Sequence, residues 1–148
     1  MTDTPVPQTR EDDRVRGLLD AWCRAVNAMD LDAIFDCYTP DIVAFDAILQ
    51  LRFKGAAAYR KHWRECLDGC GAMRFEIHDL ETASAGDVAF AHYLARCGGT
   101  GPDGTEHDGW MRATVGCREV AGRWLVTHEH FSAPFDPMSG KSLFELQP

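Results

Sequence analysis

The stretch Glu106-His-Asp-Gly-Trp-Met-Arg-Ala-Thr-Val-Gly-Cys-Arg-Glu-Val-Ala-Gly-Arg-Trp-Leu-Val-Thr-His-Glu-His-Phe-Ser-Ala133 decides the fold. It holds two strand-like runs, Glu106 to Val120 and Arg123 to Ala133, separated only by Ala121-Gly122. A joint that short can connect only antiparallel neighbours, because a parallel crossover needs a dozen or more residues. Two further runs of the same texture precede it, Met73 to Thr82 and Val88 to Cys97. The segment Gly98-Gly-Thr-Gly-Pro-Asp-Gly104 reads as the hairpin loop between the second of these and Glu106.

The first half of the chain has a different period. Val15, Leu18, Leu19, Trp22, Val26 and Met29 recur at three- and four-residue steps, while Arg14, Arg16, Asp20 and Arg24 fill the opposite side, which predicts a helix with one buried face. Asp30 is placed to cap a second short helix carrying Leu31, Ile34, Phe35 and Tyr38, with Pro40 as its stop. Ile42 to Ile48 reads as a strand. After Lys54-Gly55 a third helix turns Tyr59, Trp63, Cys66 and Leu67 inward, and Gly69-Cys70-Gly71 ends it. Helices first and a meander afterwards define an α+β domain over residues 14–134. Residues 1–13, polar and acidic with two prolines, are expected to be a flexible tail, and 135–148 a C-terminal tail in which Phe135, Met138, Leu143 and Phe144 could cover a pocket mouth or a partner subunit.

Composition bounds the function. The chain has 148 residues, the size of one domain, and 45% of them are apolar, which supports a real core. A net charge of −8 with no basic cluster argues against nucleic-acid or membrane-surface binding, and no apolar run nears the roughly 20 residues of a bilayer span. The start lacks the basic and apolar segments of a secretory signal, and the six cysteines are scattered. Reduced thiols and a cytoplasmic location are therefore expected. Cys66 and Cys70 form an i, i+4 pair with no second pair, so no zinc site is predicted from them.

Several segments resemble bacterial ketosteroid isomerases. These are Val15-Arg-Gly-Leu-Leu-Asp-Ala-Trp22, Asp30-Leu-Asp-Ala-Ile34, Tyr38-Thr-Pro-Asp-Ile-Val-Ala-Phe-Asp46, and Gly55 through Trp63. The ending Gly122-Arg-Trp-Leu-Val-Thr-His-Glu-His-Phe-Ser132 is similar to the last strand of SnoaL-like members of the wider nuclear transport factor 2-like superfamily. The resemblance implies a cone-shaped barrel of the cystatin-like kind, with N-terminal helices on a strongly curved, mixed but mostly antiparallel sheet. It also implies a pocket for a small hydrophobic molecule, a homodimer formed through the sheet, and acid–base chemistry without a cofactor.

The resemblance places Asp46 on the proton-shuttling aspartate, which takes a proton from beside a carbonyl and returns it elsewhere. The residues that should hold the resulting oxyanion differ. Trp22 stands at the tyrosine position of the first helix; its indole N–H can donate one hydrogen bond but cannot relay a proton. The strand around Trp110 to Val115 offers Arg112 and Thr114 but no second aspartate, while Tyr38 matches a supporting tyrosine and Trp63 replaces another. The steroid-isomerase oxyanion hole is thus missing in kind. The expected activity is that of an isomerase, cyclase or dehydratase with Asp46 as base; the alternative is a non-catalytic binding or assembly domain of the same fold.

The remaining polar concentration is Thr127-His-Glu-His-Phe131. As a regular strand it puts His128 and His130 on one face with Trp124 and Val126, and Glu129 and Phe131 on the other. If the histidine face looks inward, His128 or His130 serves as acid or base opposite Asp46; otherwise Glu129 and Phe131 line the pocket. The His-x-His spacing also suits a metal, but it needs a third ligand from His92, His107 or Asp46, and no metal is predicted. His62 and His78 show no partner in the sequence. Catalytic candidates are therefore Asp46, His128 and His130; Trp22, Tyr38, Trp63, Trp110, Arg112, Glu129 and Phe131 are candidates for binding substrate.

Overall fold

A computed structural model describes residues 6–148. Three helices and six strands that form a single sheet follow one another as α1 (Arg10–Asn27), α2 (Leu31–Asp36), β1 (Tyr38–Phe45), β2 (Phe53–Lys54), α3 (Ala56–Asp68), β3 (Ala72–Ala85), β4 (Val88–Thr100), β5 (Glu106–Val120) and β6 (Arg123–Ser132). The sheet order is β2-β1-β6-β5-β4-β3. Only β1 and β6 run parallel, so the sheet is mixed and mostly antiparallel.

Of the expected tail, residues 1–5 lie outside the described residues, and the first helix begins earlier than residue 14. Thr9 and Asp12 form a capping box: the Asp12 amide donates to Thr9 Oγ1 at 3.1 Å and the Thr9 amide to Asp12 Oδ2 at 2.9 Å. Ser84 at the far end of β3 donates to Asp12 Oδ1 at 2.8 Å, which ties the helix start to the sheet. At the other end, Asn27 docks on the edge strand β3 like a missing strand partner, accepting from the Phe75 amide at 2.8 Å and donating to its carbonyl at 2.9 Å. Pro40 does not stop α2. The helix ends at Asp36, and Pro40 lies within β1, whose strand therefore starts at Tyr38 rather than Ile42.

Two irregularities bend the sheet around the helices. Between His78 and Glu81 the β3–β4 register shifts around Asp79, which has a positive φ of 54°. In β6, Cys117 pairs with Val126 and Gly116 with His128, leaving Thr127 as an extra residue. An extra residue reverses the inward face of everything after it. Trp124 and Val126 point into the core before the bulge, and Glu129 and Phe131 after it.

The core is aromatic. Trp22 is fully buried and meets Phe75 edge-on at 5.0 Å, with Trp63 and Phe131 at 6.2 Å. Tyr59 stacks near Tyr38 at 5.7 Å. All six cysteines are free thiols. Among the described residues no helix is long and apolar enough to cross a membrane.

Candidate functional site

Alternation along β1 sends Ile42, Ala44 and then Asp46, the first residue past the strand, towards the inside of the cone. Helix α3 supplies the opposing wall. Its start is fixed at Gly55, where a φ of 91° and a 2.7 Å hydrogen bond from its amide to the Ile42 carbonyl turn the chain into the helix. From there Tyr59, His62, Trp63 and Cys66 follow at helical spacing on one side. The buried His62 ring stacks on Phe53 at 4.1 Å and reaches Asp46, with Nε2 2.5 Å from Oδ2. The Ala47 amide donates to the other oxygen, Oδ1, at 2.7 Å. The Asp46 side chain is 20% exposed, so the carboxylate is held from two sides and still open on a third. The Cys66 thiol lies 3.8 Å from Nε2 and 4.0 Å from Nδ1 of His62, close to both nitrogens, and burial raises its pKa.

Asp46 and His62 open onto a cavity of about 210 Å³ whose other walls include Trp63, Met73, Phe75, Met111 and Phe131. A broader, open groove of about 590 Å³ adjoins it, lined by Val43, Phe45, the 50–52 loop and His130. Asp46, Ala47, Phe131 and Phe144 border both spaces. The C-terminal segment therefore covers the cavity mouth, with Phe144 held by the Trp110 amide, which donates to the Phe144 carbonyl at 2.8 Å.

Deeper in the core, the Trp22 Nε1 proton is donated to the Tyr38 hydroxyl at 2.7 Å. Glu129 is buried beside them, and its Oε1 has no hydrogen-bond partner. Burial pushes the Glu129 pKa up to about 8, the Asp46 charge adds to the shift, and a hydrogen bond with Tyr38 partly offsets it. Burial likewise raises the phenols of Tyr38, Tyr59 and Tyr93 well above their ordinary value.

Several sequence expectations need correction. His128 and His130 do not face Asp46 from inside the cone. Because Thr127 is bulged out, they fall on the outer face, against Phe45 at 4.8 and 5.5 Å, and His128 Nδ1 donates to the Val43 carbonyl at 2.6 Å. Trp110 and Arg112 also point outward, because Met111, Ala113 and Val115 take the inner face of β5. Trp110 packs on His78 at 4.9 Å, and Arg112 donates through Nε to Ser132 at 3.2 Å. Trp22, Tyr38 and Glu129 are inside but below the cavity, and the Trp22 proton is already committed to Tyr38. Trp63 and Phe131 do line it. Neither His62 nor His78 is partnerless: His62 takes Asp46, and His78 pairs with Glu76 at 2.9 Å. The one signal for His62 was its place on the Tyr59–Trp63–Cys66 face.

Helices closed onto a curved mixed sheet, with an inward aspartate at the end of β1, define a cone of the nuclear transport factor 2-like kind. The family model for the SnoaL-like domain matches residues 15–136. The chain belongs to the SnoaL-like domain family. Its structure is similar to that of a nuclear transport factor 2-like protein of unknown function from Pseudomonas putida, at 48% identity and a TM-score of 0.86, covering 93% of this chain and 96% of that one. A ketosteroid isomerase-like protein from Erwinia carotovora shares the fold at 20% identity and a TM-score of 0.74, over 84% of this chain and 96% of the other. So does a protein proposed as a dehydratase of the same family from Streptomyces avermitilis, at 14% identity and a TM-score of 0.77, over 85% and 97%. A search of functionally curated proteins found no match.

Proposed function

We propose that the chain is a cofactor-independent acid–base enzyme acting on a small hydrophobic carbonyl compound, as an isomerase, cyclase or dehydratase. The observation that carries this reading is the 2.5 Å contact between Asp46 and His62 at the wall of an apolar cavity. Asp46 acts as the base: it takes a proton from the carbon beside the carbonyl and returns it to another position of the same molecule. His62, donating through Nε2, holds Oδ2 in place, and the Ala47 amide does the same for Oδ1. The carboxylate then keeps one orientation towards the cavity while proton transfer occurs. His62 is a positioning residue in this scheme.

A screen of enolisable ketones and β-hydroxy carbonyl compounds tests the proposal, with Asp46→Asn as control. Turnover that disappears in a folded Asp46→Asn protein supports it; an unchanged rate in that variant sinks it. One observation favours the second reading, a non-catalytic binding or assembly domain: the Trp22 N–H, the nearest equivalent of the steroid-isomerase donor, is taken by Tyr38. The outer sheet face, with Phe90 and Val88 half exposed beside His92, supports pairing of two copies through the sheet.

A further inference from the structure

The size of the cavity and the residues that separate it from the groove restrict what can occupy it. A cavity of about 150 Å³ lined by aliphatic and aromatic side chains accommodates benzene, whereas drug-sized ligands use roughly 300–1,000 Å³. At about 210 Å³ this cavity by itself has room for one ring and a few further atoms; a fused polycycle would have to extend past Phe144 and Phe131 into the adjoining groove. Its carboxylate and imidazole lie together, at Asp46 and His62, facing walls of methionine and aromatic side chains. Burial raises the pKa of its two thiols, Cys66 and Cys97, which keeps them uncharged.

Beyond the partition lies the larger groove, and Phe144 is the one member of that partition contributed by the C-terminal segment. β6 pairs with β5 only from Arg112 onward, which leaves the 106–111 end of β5 free on that side. The Phe144 carbonyl takes the Trp110 amide there. Gly109 makes the approach possible: a Cβ at this position would stand 3.0 Å from Phe144 Cβ and 3.1 Å from its carbonyl oxygen.

We propose that the site takes a monocyclic molecule bearing an oxygen substituent, with its polar end towards Asp46 and His62, and that Phe144 sets the upper limit on its size. The placement of the polar end rests on the acid–base reading of Asp46; the size limit rests on the walls. Isothermal titration with 4-methylphenol, 2-naphthol and estradiol tests it, since these carry the same phenolic hydroxyl on one, two and four fused rings.

The protein is expected to bind 4-methylphenol about tenfold more tightly than 2-naphthol, and estradiol not at all. Phe144→Ala, which joins cavity to groove, should reduce that preference about tenfold, and Gly109→Ala, which crowds Phe144 from outside the cavity, should reduce it in the same direction but less. Estradiol binding as tightly as 4-methylphenol overturns the proposal. So does failure of all three phenols to bind, or an unchanged preference in both variants. Asp46→Asn should keep the size ranking. A lost ranking with Asp46-dependent turnover therefore sinks the size limit alone, and an intact ranking with Asp46-independent turnover sinks the acid–base reading alone.

Discussion

Asp46 and His62, sixteen residues apart in the chain, meet through Oδ2 and Nε2 at 2.5 Å, one at the end of β1 and the other in the second turn of α3. The contact turns an aspartate at the end of a strand into one with a fixed orientation. His62→Ala should lower kcat by about 10²-fold, within the range of a general base deprived of its positioning. Its pH–rate profile should shift as well. A purely structural histidine would lower the urea midpoint but leave kcat and the profile of the remaining folded protein unchanged.

Glu129 predicts an unusual dependence of stability on pH. Its ordinary pKa of 4.5 applies to the unfolded chain, and burial raises it to about 8 in the folded one. Between these values the folded protein keeps a proton that the unfolded chain has lost. The contribution to stability therefore falls as pH rises from about 4.5 to about 8 and is flat outside that window, with a slope of about 1.4 kcal/mol per pH unit at most. Glu129→Gln, which cannot ionise, should remove that part of the slope. Urea unfolding at pH 5 and pH 8.5 measures it.

Trp22 is predicted to act on stability and not on chemistry. Trp22→Phe removes the hydrogen bond to Tyr38 and leaves a void between Phe75 and Phe131, at a cost of about 2 kcal/mol in urea unfolding. Turnover per folded molecule should stay within about twofold, a change of roughly 0.4 kcal/mol in the barrier.

The outer face of the sheet gives a separate prediction. Phe90→Glu places a charge in the face through which pairing of two copies is proposed, and sedimentation equilibrium should show the wild type as a dimer and the variant as a monomer. His130→Ala, on the same face, should leave turnover within about twofold.

Much of this was legible in the sequence. The helical face from Val15 to Met29 and the Ala121-Gly122 hairpin both follow from local periodicity and turn chemistry, and they were enough for a helical layer on a meander. The family resemblance added the closure into a cone and the inward aspartate. What could not be read was the single extra residue at Thr127, because a bulge is set by how β5 and β6 bend together and not by the composition of β6. That one residue turns His128 and His130 to the outer face, Glu129 into the core and Phe131 into the cavity wall. Pro40 was misread for a related reason: the residues around it belong to a strand that pairs with the distant β6, a pairing which only the tertiary structure supplies. His62 escaped notice because its partner comes from another element, and nothing local distinguishes it from any other inward helix residue.

Deuterium uptake is the most direct test of the central claim. Cyclohexanone in D₂O should exchange its α-hydrogens faster with the protein than in buffer, followed by proton NMR, and Asp46→Asn should slow the enzymatic rate by about 10²-fold or more while still preferring 4-methylphenol to 2-naphthol. Exchange no faster than buffer, or an Asp46→Asn protein that exchanges at the wild-type rate, would contradict the assignment of Asp46 as the base.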